Sequence, residues 1–223
     1  MRITLDDSLL ARYPKMQIHG LIARGLAPDR LDARPFTGWP AVDANQADRV
    51  IADWKVLHKQ LSGDKRSRCS IAWLVKAAAS ERLRRIHPLV DLYNQASLRA
   101  LSPFGGEDIQ RLGGALTLTL AHGTERFVPL GQPEVIEHPG DGEAVWLDGA
   151  GQVVCRALNW LESDRHKITE TTRDVVFVSE RPCAHLPDPR AGMDWLAEQL
   201  AGVVETLSAF RLDAETPDYQ LTP

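Results

Sequence analysis

A-L-T-L-T-L-A, residues 115–121, alternates apolar and polar side chains. That two-residue period is the signature of a half-buried strand. Upstream of it the period is helical. Ile71, Leu74, Val75 and Ala78 fall on one stripe, which predicts a helix over 70–84. Pro88 suits the first residue of another helix, with Leu89, Leu92, Tyr93, Ala96 and Ala100 on one face, stopped by Pro103, Gly105 and Gly106. Asp43 and Gln46 resemble a capping box opening a helix over 44–61, closed by Gly63. Short apolar runs at 2–5 and 16–24 read as strands. Residues 27–42, with three prolines and a glycine, read as an ordered loop.

Downstream the pattern stays β. A-V-W-L, D-G-A-G and Q-V-V-C-R, residues 144–156, form a hairpin signal. R-F-V-P-L follows a G-T turn, 131–143 reads as a loop, and D-V-V-F-V-S-E, residues 174–180, is a further strand. Asp188-Pro189 looks like an N-cap followed by proline at the first helical position. The apolar spacing of Met193, Leu196, Leu200, Val203, Leu207 and Phe210 then predicts a last helix running to about 210. The tail, 211–223, is polar and expected to be loose. The order strands, helices, strands, helix makes an α+β fold, with no linker long enough to separate two independent domains.

Composition bounds the chemistry. The chain has 223 residues, a net charge of −4 and three widely spaced cysteines, Cys69, Cys155 and Cys183. These form neither a disulfide framework nor a zinc pattern and read as semi-buried thiols. No apolar stretch approaches the length needed to cross a bilayer, and M-R-I-T-L-D-D lacks a signal-peptide core, so a cytoplasmic location is expected. No histidine or carboxylate spacing suggests a metal, and no pattern suggests a cofactor. His166 sits among charges and reads as a solvated loop histidine. Trp146 and Trp160, beside strand ends, read as core with a possible stacking role.

The modest net charge hides polarity. Residues 55–85 carry Lys55, Lys59, Lys65, Arg66, Arg68, Lys76, Arg82, Arg84 and Arg85 against only Asp64 and Glu81, whereas 132–150 carry acids and no Lys or Arg. A basic helical face is the electrostatic footprint of a phosphate backbone, which makes Lys59, Lys65, Arg66, Arg68, Arg82, Arg84 and Arg85 candidate RNA contacts. It equally fits a solvated face pairing with the acidic loop. The connection 155–172, C-R-A-L-N-W-L-E-S-D-R-H-K-I-T-E-T-T, crowds Arg156, Asn159, Glu162, Asp164 and Lys167 between apolar runs. These groups fit a ligand pocket, and they fit a self-satisfied network locking a long loop.

Several blocks in order resemble the B3/B4 domain of the phenylalanyl-tRNA synthetase beta subunit, and free-standing proteins built on that domain. They are H-P-L-V-D-L-Y-N-Q-A-S-L-R-A-L-S-P-F-G-G-E-D-I-Q-R-L-G-G at 87–114, F-V-P-L-G at 127–131, V-V-C-R-A-L-N-W at 153–160 and K-I-T-E-T-T-R-D-V-V-F-V-S-E at 167–180. The resemblance implies a β-sandwich-like core with flanking helices. It implies N-terminal strands and basic helices over 1–84 as a short α/β leader packed on the core, and a B3/B4-like domain over 85–210. It also implies an editing-like role, binding tRNA and hydrolysing a wrongly attached amino acid; in the synthetase that amino acid is tyrosine. Asn94 falls on the family's site asparagine, and Glu162 or Asp164 on its site glutamate. Gly105, in P-F-G-G, stands where the synthetase carries a histidine. The other reading is a non-catalytic module binding a free amino acid or similar metabolite.

Overall fold

The computed structural model describes residues 1–62 and 69–221. Among these residues there are six α-helices and ten strands, the strands forming two sheets. The strands are β1 (Arg2–Leu5), β2 (Gln17–Arg24), β3 (Gly105–Asp108), β4 (Leu116–Leu120), β5 (Ala144–Asp148), β6 (Val153–Arg156), β7 (Leu161–Glu162), β8 (Val175–Arg181), β9 (Thr206–Leu212) and β10 (Asp218–Gln220). The helices are α1 (Asp7–Arg12), α2 (Pro28–Asp32), α3 (Ala44–Leu61), α4 (Ser70–Ala79), α5 (Pro88–Ala100) and α6 (Arg190–Leu200). One sheet runs β10-β1-β4-β5-β6-β7 and the other β3-β8-β2-β9.

The V-V-F-V run explains the layering. Val176 and Val178 join Leu116, Leu118 and Trp146 of the six-stranded sheet in one core, so the two sheets face each other. Val175 and Phe177 point the other way, onto Leu89 and Ala96 of α5 and Met193 and Leu196 of α6. A strand buried on both faces reads as a continuous apolar run because neither face has to be polar. Trp54, Leu61, Ile71 and Leu74 bring α3 and α4 onto the inter-sheet core. Alternation in β4 appears as expected, with Leu116 and Leu118 buried between less buried threonines.

The capping chemistry read from the sequence is present at two helices. Asp43 Oδ1 accepts from Gln46 N at 2.7 Å. Pro88 opens α5, where His87 Nδ1 accepts from Leu89 N at 3.2 Å. Gly63 lies outside the described residues.

Four expectations are corrected. Residues 27–42 contain the short helix α2, opened by Pro28 in the first turn. Helix α4 stops at Ala79, not 84: Ser80 Oγ donates to Lys76 O, Glu81 takes φ 54, and the chain folds back to bury Leu83. Helix α6 starts at Arg190 with Asp188 Oδ1 accepting from Arg190 N, and it ends at Leu200. Gly202, at φ +78, turns the chain into β9, so Leu207 and Phe210 belong to a strand beside β2 rather than to a helix. Gly20 in β2 permits this, since a Cβ there would sit 2.0 Å from the Phe210 ring. As far as residue 221 the tail is fixed rather than loose: β10 pairs with β1, and Tyr219 stacks on Phe210 at 4.9 Å.

Candidate functional site

Strand register decides what meets between the sheets. In β5-β6-β7, Trp146 lies opposite Cys155 and Cys155 opposite Glu162, a row on one face of the six-stranded sheet. In the facing sheet Gly105 lies opposite Val178, so the two-residue period brings Gly105, Glu107, Val178 and Glu180 to the same face. The two rows, with Val90, Tyr93, Asn94 and Ser97 of α5 and Ser70, Ile71, Trp73 and Leu74 of α4, line a cavity of about 270 Å³. Its mouth carries exposed apolar side chains, Trp73, Ile86 and Leu130. Its floor carries carboxyls: Glu107 is 4% exposed and Glu180 1%.

Glu180 is held on both oxygens. Oε1 accepts from Trp146 Nε1 at 2.6 Å, and Oε2 from Asn159 Nδ2 at 3.1 Å. Asn159 is oriented from behind, with His58 Nε2 3.1 Å from its Oδ1 and the Ser70 hydroxyl donating to it at 3.4 Å. Burial drives the His58 pKa down to about 4, so the ring is neutral near pH 7 and its Nε2–H donates to the amide oxygen. Trp146 is thereby core, as expected, with its indole N–H committed to Glu180.

Glu107 and Glu162 behave differently. Glu107 Oε2 and Glu162 Oε1 are buried and receive no donor from another side chain or the backbone. The two carboxyls are neighbours, and two buried acids side by side favour keeping one of them protonated. Burial, then the neighbouring Glu162, pushes the Glu107 pKa well up; burial pushes Glu162 up to about 7. Glu180 is raised by burial too, against the pull of its two donors. Burial and then the carboxyls also raise the Cys155 thiol and the Tyr93 hydroxyl, so both are neutral at pH 7. Among the described residues that line the cavity there is no Lys, Arg or His to balance these acids. No His/Cys/Asp/Glu group among the described residues is arranged to hold a metal ion.

Of the residues singled out from sequence, Asn94, Gly105, Asn159 and Glu162 line this cavity, and so does Trp160. The Asn94 amide makes no hydrogen bond among the described residues. A Cβ built on Gly105 meets nothing within 4 Å, so this position widens the hollow. Arg156, Asp164 and Lys167 stand elsewhere. Arg156 pairs with Glu143 at 3.0 Å and Glu137 at 2.7 Å, and Asp164 pairs with Lys167 at 2.7 Å while accepting from Gly131 N. His166 is buried, correcting its expected solvation. Its Nε2 lies 3.4 Å from Asp148 Oδ2, and its carbonyl accepts from Asp108 N.

Sequence reasoning missed Glu107, Glu180, Tyr93 and Cys155. The signal for the two acids was their phase: each continues the inward face of a strand, where an acid without a partner is out of place.

Of the basic candidates, Lys65, Arg66 and Arg68 lie outside the described residues. Lys59, Arg82 and Arg84 are exposed. Arg85 is engaged, pairing with buried Asp91 at 2.9 Å and lying over the Phe36 ring at 4.8 Å. Lys76 and Arg82 share a second, shallow hollow with Trp73, which also lines the mouth of the carboxyl-floored cavity.

The model of the B3/4 domain family matches residues 55–182. No curated protein matches the chain. Among solved structures, the chain is similar to an N-terminal fragment of the phenylalanyl-tRNA synthetase beta-subunit from Pyrococcus horikoshii. The identity is 12% and the TM-score 0.45, over 94% of this chain and 49% of that one. This chain therefore spans about half the length of that fragment. No helix among the described residues is long and apolar enough to cross a membrane.

Proposed function

The chain belongs to the B3/4 domain family, and from that premise we propose that it holds the aminoacyl end of a tRNA in the carboxyl-floored cavity and hydrolyses a misattached amino acid in trans. One observation carries the reading. A hollow of amino-acid size, about 270 Å³, ends in fixed polar groups and opens beside an exposed aromatic side chain flanked by two cations. Drug-sized pockets run roughly 300–1,000 Å³, so this one suits a smaller group. Bases stack on exposed aromatic faces, and phosphates pair with lysine and arginine. Trp73 with Lys76 and Arg82 offers both partners at the rim, on the same basic stretch read from the sequence.

Ester hydrolysis needs a proton acceptor for the attacking water and a donor for the oxyanion. Glu162, half-buried and with its pKa at about 7, suits the first task at neutral pH. Asn94, whose amide is free, suits the second. The test is a panel of mischarged tRNAs incubated with the purified protein. Hydrolysis of at least one, reduced by about 10²-fold or more in Glu162→Gln, is expected. No hydrolysis across all twenty amino acids ends the enzymatic reading.

A specific observation favours a second reading, a binding module without catalysis. The Asn159 amide is already consumed by Glu180, and Gly105 supplies no side-chain donor, leaving the oxyanion few partners. Salt discriminates. Ligand-linked thermal stabilisation that ignores ionic strength, with no tRNA retained at low salt, selects the binding module.

A further inference from the structure

We infer that the cavity selects an amino acid whose side chain ends in a cation, lysine-like or arginine-like, with that cation seated on the floor against Glu107 and Glu180. The inference rests on the proposed amino-acid-binding reading and names its substrate class.

The argument begins with direction. A tRNA cannot enter the hollow, so the ester and α-amine of a bound aminoacyl group stay near the mouth, among Trp73, Ser70 and Asn94. The side chain then points inward, and its tip meets whatever lies deepest. The deepest polar groups are Glu107 and Glu180, which are almost fully buried, with Glu162 one step toward the mouth. Between mouth and floor the walls are apolar: Ile71, Leu74, Val90 and Phe104. An apolar shaft ending in carboxyls fits a side chain with a methylene stem and a charged head.

Charge balance separates a cation from a neutral donor. Three carboxyls share the hollow with no cation among its described lining residues, and buried Glu107 Oε2 has no hydrogen-bond partner among the described residues. A hydroxyl or phenol satisfies one oxygen and leaves the acids uncompensated. An ammonium or guanidinium supplies several donors and offsets the like-charge repulsion as well. Anionic side chains are repelled. Tyr93 and Phe104 also line the cavity and supply aromatic rings to its wall.

The test compares L-lysine methyl ester with L-norleucine methyl ester, which has the same stem without the charge, by calorimetric titration at pH 7.5. L-tyrosine methyl ester is the third probe. The lysine ester is expected to bind about tenfold or more tightly than either, since hydrogen bonds to a charged group are the stronger ones. Glu107→Gln, which keeps the shape, should cut the lysine-to-norleucine ratio to within about threefold. Gly105→Val, whose added carbons enter open space, should abolish binding of all three; a lysine preference surviving in this variant places the site elsewhere and overturns the inference. Equal affinities in the unaltered protein, or tyrosine ester binding best, also overturn it. Parallel assays with lysyl- and tyrosyl-tRNA keep the two claims apart. Cleavage of the tyrosyl species alone upholds hydrolysis and sinks the cationic specificity. Tight lysine-ester binding without cleavage of any tRNA does the reverse.

Discussion

The connection 155–172 has two kinds of polar residue, and the contrast between them is instructive. Arg156, Asp164, Lys167 and Thr172 are spent on neighbours: Arg156 on Glu143 and Glu137, Lys167 on Asp164, and the Thr172 hydroxyl on Asp108. Asn159 and Glu162, in the same stretch, face a hollow with more acid than its described lining balances. Both groups look alike in sequence. A paired buried charge is costly to break, because removing one partner strands the other, whereas unpaired buried carboxyls raise their own pKa values and destabilise the fold. Polar density therefore marks the region, and the unbalanced charge within it marks the candidate site.

Breaking the paired side gives the largest expected loss. Arg156→Ala leaves Glu143, 3% exposed, without its cation, and strips the guanidinium from the Phe127 ring 5.4 Å away. Chemical denaturation should show a loss of about 3–5 kcal/mol, the usual cost of removing one partner from a buried pair. Ester binding measured on the folded fraction should be unchanged. A loss of ligand affinity at full stability would erase the distinction between the two groups.

The unpaired side should respond with the opposite sign. The Glu107 pKa is raised, so the folded state holds a proton that the unfolded chain has released. That contribution is fully present below the ordinary glutamate value of 4.5 and is lost as pH rises through the higher folded value. Glu162 runs the same way, its part fading between 4.5 and about 7. Glu107→Gln removes the titration and should stabilise the protein by on the order of 1–3 kcal/mol at pH 8, the gain shrinking toward pH 5. Comparing variant with parent isolates this term from His19, His58 and His166. Their lowered pKa values act in the other direction. A variant less stable than its parent at pH 8 would show that the pair is balanced after all.

Much of the architecture is legible in the sequence. The capping box at Asp43, Pro88 at the start of α5, the alternation in β4 and the hairpin at 144–156 are local signals that tertiary structure has no reason to override. The end of the chain was not legible. Leu200, Val203, Leu207 and Phe210 satisfy a helical period by accident, and only the β2 edge, with Gly20 making room for Phe210, selects a strand. Half of the cavity was readable for a similar reason. Asn159 and Glu162 lie in a stretch crowded with polar residues, and Asn94 is placed by the family resemblance. Glu107 and Glu180 sit beside other charged residues near strand ends, and their convergence depends on how two sheets face each other. No window along the chain reports that packing.

The comparison sharpens further where neither charge nor stability changes much. Gly105→Val adds two methyl groups on a carbon that meets nothing within 4 Å, in a strand whose φ is not left-handed, so folding should shift by no more than about 0.5 kcal/mol. If the hollow is the binding site, affinity for every aminoacyl probe falls while the melting temperature holds. Smaller still in stability is the effect of Lys76→Ala with Arg82→Ala, both exposed at the rim. Each phosphate contact adds about 0.7–0.9 to the salt slope of nucleic-acid binding, so losing two should flatten that slope by about 1.5. Affinity for the methyl esters, which carry no phosphate, should not move, because those probes end at the mouth. An unaltered salt slope would detach the basic rim from the cavity and leave the hollow as a site for free amino acids.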